Sequence, residues 1–171
     1  FTEIYDFCSK TFSLLSLTTN GTSITDEIAD RIADAKNTIV NLSLDGACAE
    51  TVDEITGRAG TFERVCQGIR TLARKNIVIR ASMQVIRQNV EELEDTLLLA
   101  QRLGASAFVM GPPMHMGRAA KNESILFSRG KESFEALEKI REVSERHADF
   151  IQGIDDDIRK QHELEGNCGA G

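Results

Sequence analysis

The chain has 171 residues, 41% of them hydrophobic and 27% charged, the composition of one globular domain with a sizeable core. Its net charge of -7 excludes a broad nucleic-acid or anionic-membrane surface, because phosphate neutralisation needs clustered Lys and Arg. No apolar run approaches the roughly 20 residues of a membrane-spanning helix and no secretory signal opens the sequence, so the expected location is the cytoplasm.

Residues 1–13 read as the end of a helix, with Ile4, Cys8 and Phe12 at four-residue spacing. A strand is predicted at about 14–20. A helix follows at about 26–36, with Thr25 as N-cap and Asp26 and Glu27 in its first turn, where acids complement the helix dipole. The second strand is predicted at about 38–45. The stretch "ACAETVDEITGRAG" reads as a loop leading to Thr61 as the next N-cap, and Phe62, Val65, Cys66, Ile69, Leu72 and Ala73 fit one helical face.

A third strand is predicted at about 77–86. Asn89, with Glu92 three residues on, reads as a capping box opening a helix whose buried stripe is Leu93, Leu97 and Ala100 and whose stop is Gly104. A fourth strand at about 106–111 runs into Pro112-Pro113. The last helix spans about 129–147, with Phe134, Leu137, Ile140 and Ser144 facing inward, and the acidic, then glycine-rich remainder reads as a linker. Strands separated by helices imply an α/β fold with parallel strands. The four cysteines (Cys8, Cys48, Cys66 and Cys168) lack CxxC spacing; Cys8 and Cys66 read as small core residues.

Side chains alternate along a strand, so in "NLSLDG" Leu42 and Leu44 share one face while Asn41, Ser43 and Asp45 share the other. In "LSLTTNG", Leu15, Leu17 and Thr19 oppose Ser16, Thr18 and Asn20. Each segment ends in Gly where the chain leaves a strand, the end at which parallel α/β folds bind ligands. The polar face therefore suggests a cavity for a polar ligand. Alternatively, Thr18, Asn20, Ser43 and Asp45 merely cap strand ends and turns.

The ordered series "SLTTNGTSITDEIADRIADA", "VNLSLDGACAETVDEITGRAGTFERVCQGIRTLARKNI", "QVIRQNVEELEDTLLLAQRLGA" and "PPMHMGRA" resembles radical S-adenosylmethionine (radical SAM) enzymes. The subgroup resembled carries a C-terminal SPASM extension. The resemblance covers about residues 1–120, and "NCGAG" looks like the entry to that extension. It implies that residues 1–148 are the later part, strands 3–6, of a partial (β/α)6 TIM-like barrel. Residues 149–171 would be a linker into a truncated auxiliary-cluster domain. The implied cofactors are S-adenosylmethionine (SAM), a [4Fe-4S] cluster and an auxiliary Fe-S cluster with Cys168 as a ligand. The implied activity is reductive SAM cleavage to a 5'-deoxyadenosyl radical that abstracts a hydrogen from a peptide or small-molecule substrate. An electron donor such as ferredoxin or flavodoxin is implied as partner. The resemblance assigns SAM contacts to Thr18, Asn20, Ser43 and Asp45, to Gln84 beside Ser82 and Ile86, and to Met110, with Pro112 ending the last strand.

Three departures stand out. The CxxxCxxC and "GGEP" motifs of the family are absent, so the chain by itself is expected to be inactive. In "VDEITG", Val52 and Thr56 replace the histidine and arginine of the family's "HDxxRG", leaving Arg58 two residues on. Ile86 stands where relatives often carry threonine. Weaker candidates are Arg118 of "GRA", His115 as an acid or base, and the run Asp155–Asp157, read as solvated rather than metal-binding. Met110, Met114 and Met116 cluster by the mouth, and His147 and His162 have no identifiable partners. Two other readings compete: a degenerate non-catalytic binding module, and a non-redox barrel enzyme using Asp45. The latter needs a lysine or second carboxylate at a neighbouring strand end, and the sequence offers none.

Overall fold

The computed structural model describes residues 1–113, 127 and 131–151. The expectations for Met114, His115, Met116, Arg118, Asp155–Asp157, His162 and Cys168 lie outside these residues. Four parallel strands, β1 (Leu15–Thr19), β2 (Thr38–Ser43), β3 (Val78–Gln84) and β4 (Ala107–Gly111), lie side by side in chain order. Helix α1 (Thr2–Thr11) precedes them, α2 (Asp26–Ala35) joins β1 to β2, and α3 (Ala49–Thr56) and α4 (Thr61–Ala73) join β2 to β3. A 3-10 turn (Val90–Glu92) and α5 (Leu93–Leu103) lead to β4, and α6 (Lys131–Arg146) follows. This is the parallel β/α arrangement the alternating pattern requires.

One face of the sheet is buried under helices. Val40, Leu42, Leu44, Ile79, Ala81, Met83, Val85 and Phe108 join Ile32, Ile69, Leu72, Leu93 and Leu97 in a single apolar core. The other face carries Thr18, Asn41, Ser43, Arg80, Ser82 and Gln84. The register pairs Thr18 with Asn41, Asn41 with Arg80, and Ser43 with Ser82. Val78 and Val109 lie on this face too and are 42% and 41% exposed.

Local chemistry explains the turns. Gly21 leaves β1 with φ +75°, and its carbonyl oxygen lies only 2.5 Å from where a side chain on Gly68 of α4 would begin. A Cβ on Gly21 would meet Leu42. These two glycines let α4 sit directly on the β1 exit. No described helix is long and apolar enough to cross a membrane.

Several expectations are corrected. The segment read as a loop before Thr61 contains α3, closed by Gly57 in the left-handed conformation. Thr61 is the first residue of α4 rather than its cap. The orphan N–H groups of Gly60 and Phe62 instead donate to the Asp53 carboxylate (2.5 and 3.0 Å). These bonds, that from Phe62 foremost, hold the Asp53 carboxyl below its ordinary range. In α1 the buried residue is Tyr5, bonded through its hydroxyl to Thr38 Oγ1 (2.7 Å), while Ile4 and Phe12 are exposed and Cys8 is half-buried. In α6 the inward residues are Ala136, Ile140 and Val143; Phe134 and Leu137 face solvent. His147 is not alone: its Nε2 lies 2.8 Å from Glu94 Oε1.

Candidate functional site

The C-terminal ends of β1 and β2 open onto a cavity of 160 Å³ lined by Asn20, Thr22, Ser43, Asp45, Val52, Thr56, Arg58, Thr61 and Val65. Two larger depressions, 630 Å³ between α1 and α2 and 280 Å³ between α1 and β1, involve no strand exit. Alternation on β2 sends Ser43 and Asp45 to this mouth while Leu42 and Leu44 are wholly buried. Asn20 is set by its own turn: Thr22 donates to Asn20 Oδ1 from both its backbone N–H (3.2 Å) and its hydroxyl (3.0 Å).

Asp45 is the most constrained acid of the mouth. Its Oδ1 accepts the Gln84 N–H (2.9 Å), which lowers its pKa, but burial outweighs this and pushes the carboxyl above its ordinary range. Thr56, at the place of the family arginine, turns its hydroxyl back onto the Val52 carbonyl (2.8 Å). Arg58 reaches the same cavity from beyond the α3 cap, where its N–H bonds the Asp53 carbonyl (3.0 Å). The cation displaced by two positions in sequence therefore returns to the mouth in space.

The other expected contacts are placed unevenly. Thr18 is exposed on the polar face, one strand residue pair below Ser43. Gln84 is exposed at the end of β3, next to Gly111 across the register. Met110 is set apart. Paired with Met83, it belongs to the helix-covered face and packs on the core, because its place on β4 has the parity of Phe108.

Two residues at this mouth carry roles that spacing did not reveal. Asn89 is fully buried. Its Nδ2 donates to the carbonyls of Asp45 and Gln84 (both 2.9 Å), and its Oδ1 accepts the Ile86 N–H (2.8 Å). It fastens the exits of β2 and β3 together instead of capping a helix by its side chain. Glu92, expected to reach back to Asn89, reaches across to accept the Ala47 N–H (2.7 Å) and the Thr51 hydroxyl. An Asn with Glu three residues on reads as a capping box from sequence, and only the neighbouring strand exit reveals the other use.

The three described cysteines do not gather as an iron–sulfur cluster requires. Cys8 lies on α1, Cys48 is exposed at the start of α3, and Cys66 is buried in the core, which pushes its thiol pKa up. Among the described residues no group of three His, Cys, Asp or Glu side chains could hold a metal ion, whereas such clusters need thiolate ligands gathered at one point. The mouth instead gathers one cation, Arg58, and the polar side chains of Asn20, Ser43 and Asp45, groups suited to a carboxylate and to hydroxyl or amino groups.

The Radical SAM superfamily model matches residues 7–100. Over 170 residues, 99% of this chain and 37% of the relative, the sequence is 29% identical to "Antilisterial bacteriocin subtilosin biosynthesis protein AlbA" of Bacillus subtilis (strain 168). It is 35% identical over 109 residues to "AdoMet-dependent heme synthase" of Methanosarcina barkeri, covering 64% of this chain and 31% of the relative. The fold superposes on Streptococcus suis SuiB bound to precursor peptide SuiA with a TM-score of 0.65 at 14% identity, covering 90% of this chain and 33% of SuiB. The chain thus spans about a third of the length of these relatives.

Proposed function

The chain belongs to the radical SAM superfamily, and from that premise we propose that it forms strands 3–6 of the barrel of a SPASM-type enzyme that modifies a peptide. Residues 1–148 would be the barrel portion, and 149–171 would lead into an auxiliary-cluster domain with Cys168 as a ligand. The likeness to AlbA over nearly the whole chain supports a peptide substrate. A ferredoxin- or flavodoxin-class donor in the cytoplasm would supply electrons. When bound and reductively cleaved, SAM supplies a 5'-deoxyadenosyl radical that takes a hydrogen atom from the substrate.

The observation that carries this reading is the convergence of Asn20, Ser43, Asp45 and Arg58 on one cavity at the strand exits. In this proposal Arg58 pairs with the methionine carboxylate in place of the arginine missing at position 56. Ser43 donates a hydrogen bond to that carboxylate, and Asp45 accepts from a ribose hydroxyl or the amino group. Thr18 and Gln84 contact the cofactor from the neighbouring polar face. Val52 and Val65 form the apolar wall of this mouth. The [4Fe-4S] ligands are not supplied by Cys8, Cys48 or Cys66.

The test is anaerobic reconstitution of the full-length protein, reduction with dithionite, and chromatography for 5'-deoxyadenosine. Its appearance supports the reading; SAM binding without cleavage would favour the second reading, a non-catalytic binding module, which the substitution at Thr56 motivates. Titration calorimetry on Arg58→Gln is expected to show SAM affinity reduced about tenfold, the loss of a charge-assisted hydrogen bond.

A further inference from the structure

Beyond the cofactor mouth, the polar face holds a cation to which neither the fold nor the cofactor reading gives a task. Arg80 lies on β3, two residues before Ser82 and four before Gln84, so all three side chains leave the same side of the sheet. Its neighbours across the register are Asn41 and Ala107. Ala107 is small and forms, with Ile39, a buried apolar pair on this face.

The guanidinium is oriented rather than loose. Asn41 Nδ2 donates to Ser16 Oγ (2.7 Å), which fixes the amide so that its Oδ1 accepts Arg80 Nε–H (2.6 Å). Three strands thus contribute to one cross-sheet chain, Ser16–Asn41–Arg80. Among the described residues only Nε is engaged: no carboxylate pairs with Arg80, and its two terminal nitrogens have no acceptor. An arginine held by Nε presents its terminal N–H groups as a fork matched to a carboxylate.

We propose that Arg80 is a specificity-determining residue that binds a carboxylate of the substrate on the inner face, below the level of the cofactor. This deepens the function proposed above and rests on it. The substrate class is a peptide or small molecule with a carboxylate near the carbon that loses hydrogen. Asn41 is the positioning residue for the guanidinium.

The test uses the full-length protein and two probes of equal shape, glutarate and its neutral diamide glutaramide, observed by saturation-transfer difference NMR with SAM at saturation. Glutarate is expected to bind and glutaramide to bind at least fivefold more weakly. Arg80→Gln should abolish the preference, Arg80→Lys should retain part of it, and Asn41→Ala should weaken it without removing it. SAM affinity, measured by calorimetry in the same variants, should be unchanged. Displacement of all glutarate by SAM, or loss of the preference in Arg58→Gln but not in Arg80→Gln, would overturn the proposal by moving the carboxylate to the cofactor site. No glutarate binding, with or without a lower melting temperature for Arg80→Gln, would overturn it, a lower one in favour of a structural hydrogen bond to Asn41. Absence of SAM binding would instead sink the cofactor reading, and the Arg80-dependent preference, measured without SAM, would remain readable.

Discussion

Asp45 feels two opposed influences, burial that favours its neutral form and the Gln84 N–H that favours its charged form, and burial prevails. An acid whose pKa is raised on folding contributes most stability below its unfolded value, and that contribution falls as pH rises through the folded value. Asp45→Asn keeps the acceptor for Gln84 and removes the charge. It should raise the melting temperature at pH 7 by about 2 °C while weakening SAM binding, and the stability gain should vanish near pH 3. Ser43→Ala should leave the melting temperature nearly unchanged but cost about 1 kcal/mol of SAM affinity, one net hydrogen bond, by calorimetry. Equal affinity with a large loss of stability would mark Ser43 as a strand cap. These residues were legible in the sequence because a strand alternates strictly, so the leucines of "NLSLDG" assigned the polar face by elimination. Arg58 was legible as a residue but not as a place: the αL turn at Gly57 that brings it back has no signature beyond one glycine.

At the scale of elements, helices were read well where apolar periodicity set them and poorly where ion pairs did. Helix α6 rests on the preceding segment through Arg87–Glu132, Lys139–Glu91 and a cluster of Arg146 and His147 on Glu94. Of the predicted stripe, Ile140 packs on the core while Phe134 and Leu137 do not, since charge partners on another element leave no local pattern. Arg146 first, then His147, holds the Glu94 pKa at about 2. A depressed carboxyl contributes fully above its unfolded value near 4.5 and loses that contribution as pH falls toward 2. Hydrogen exchange of the α6 amides should accordingly be constant from pH 7 to 5, after correction for intrinsic rates, and lose protection between about 4.5 and 2. Arg87–Glu132 and Lys139–Glu91 hold the same contact, so Glu94→Gln should weaken protection at pH 7 without abolishing it. High salt should mimic the effect, because these pairs are solvent-exposed. Asn89 is the contrary case. Asn89→Ala strands the Ile86 N–H and two carbonyls in a buried place and should destabilise by about 2–4 kcal/mol in denaturant unfolding, with SAM affinity falling as the β2 and β3 exits separate.

For the molecule as a whole, the parallel α/β class was legible from alternation, whereas the side-by-side strand order is shown by the structure, since each connection is long enough to skip a neighbour. The tight seat of α4 was not, because a glycine in mid-helix is ordinarily only a weak point. Gly68→Ala would drive a methyl group against the Gly21 carbonyl, a backbone atom that cannot rotate away, and should destabilise by about 1–3 kcal/mol, read as a lower denaturation midpoint. One last property follows from the topology. The crossover from β2 to β3 carries two helices where its neighbours carry one, so it closes the longest span of chain between adjacent strands. Longer spans cost more configurational entropy before any contact repays them. The central ladder should thus be the late event of folding: in pulse-labelling experiments the β2–β3 amides gain protection after those of β1–β2 and β3–β4. Ser43 and Arg80 would meet their neighbours only at the final step, so an arrested intermediate would hold two prefabricated halves and no ligand-binding surface.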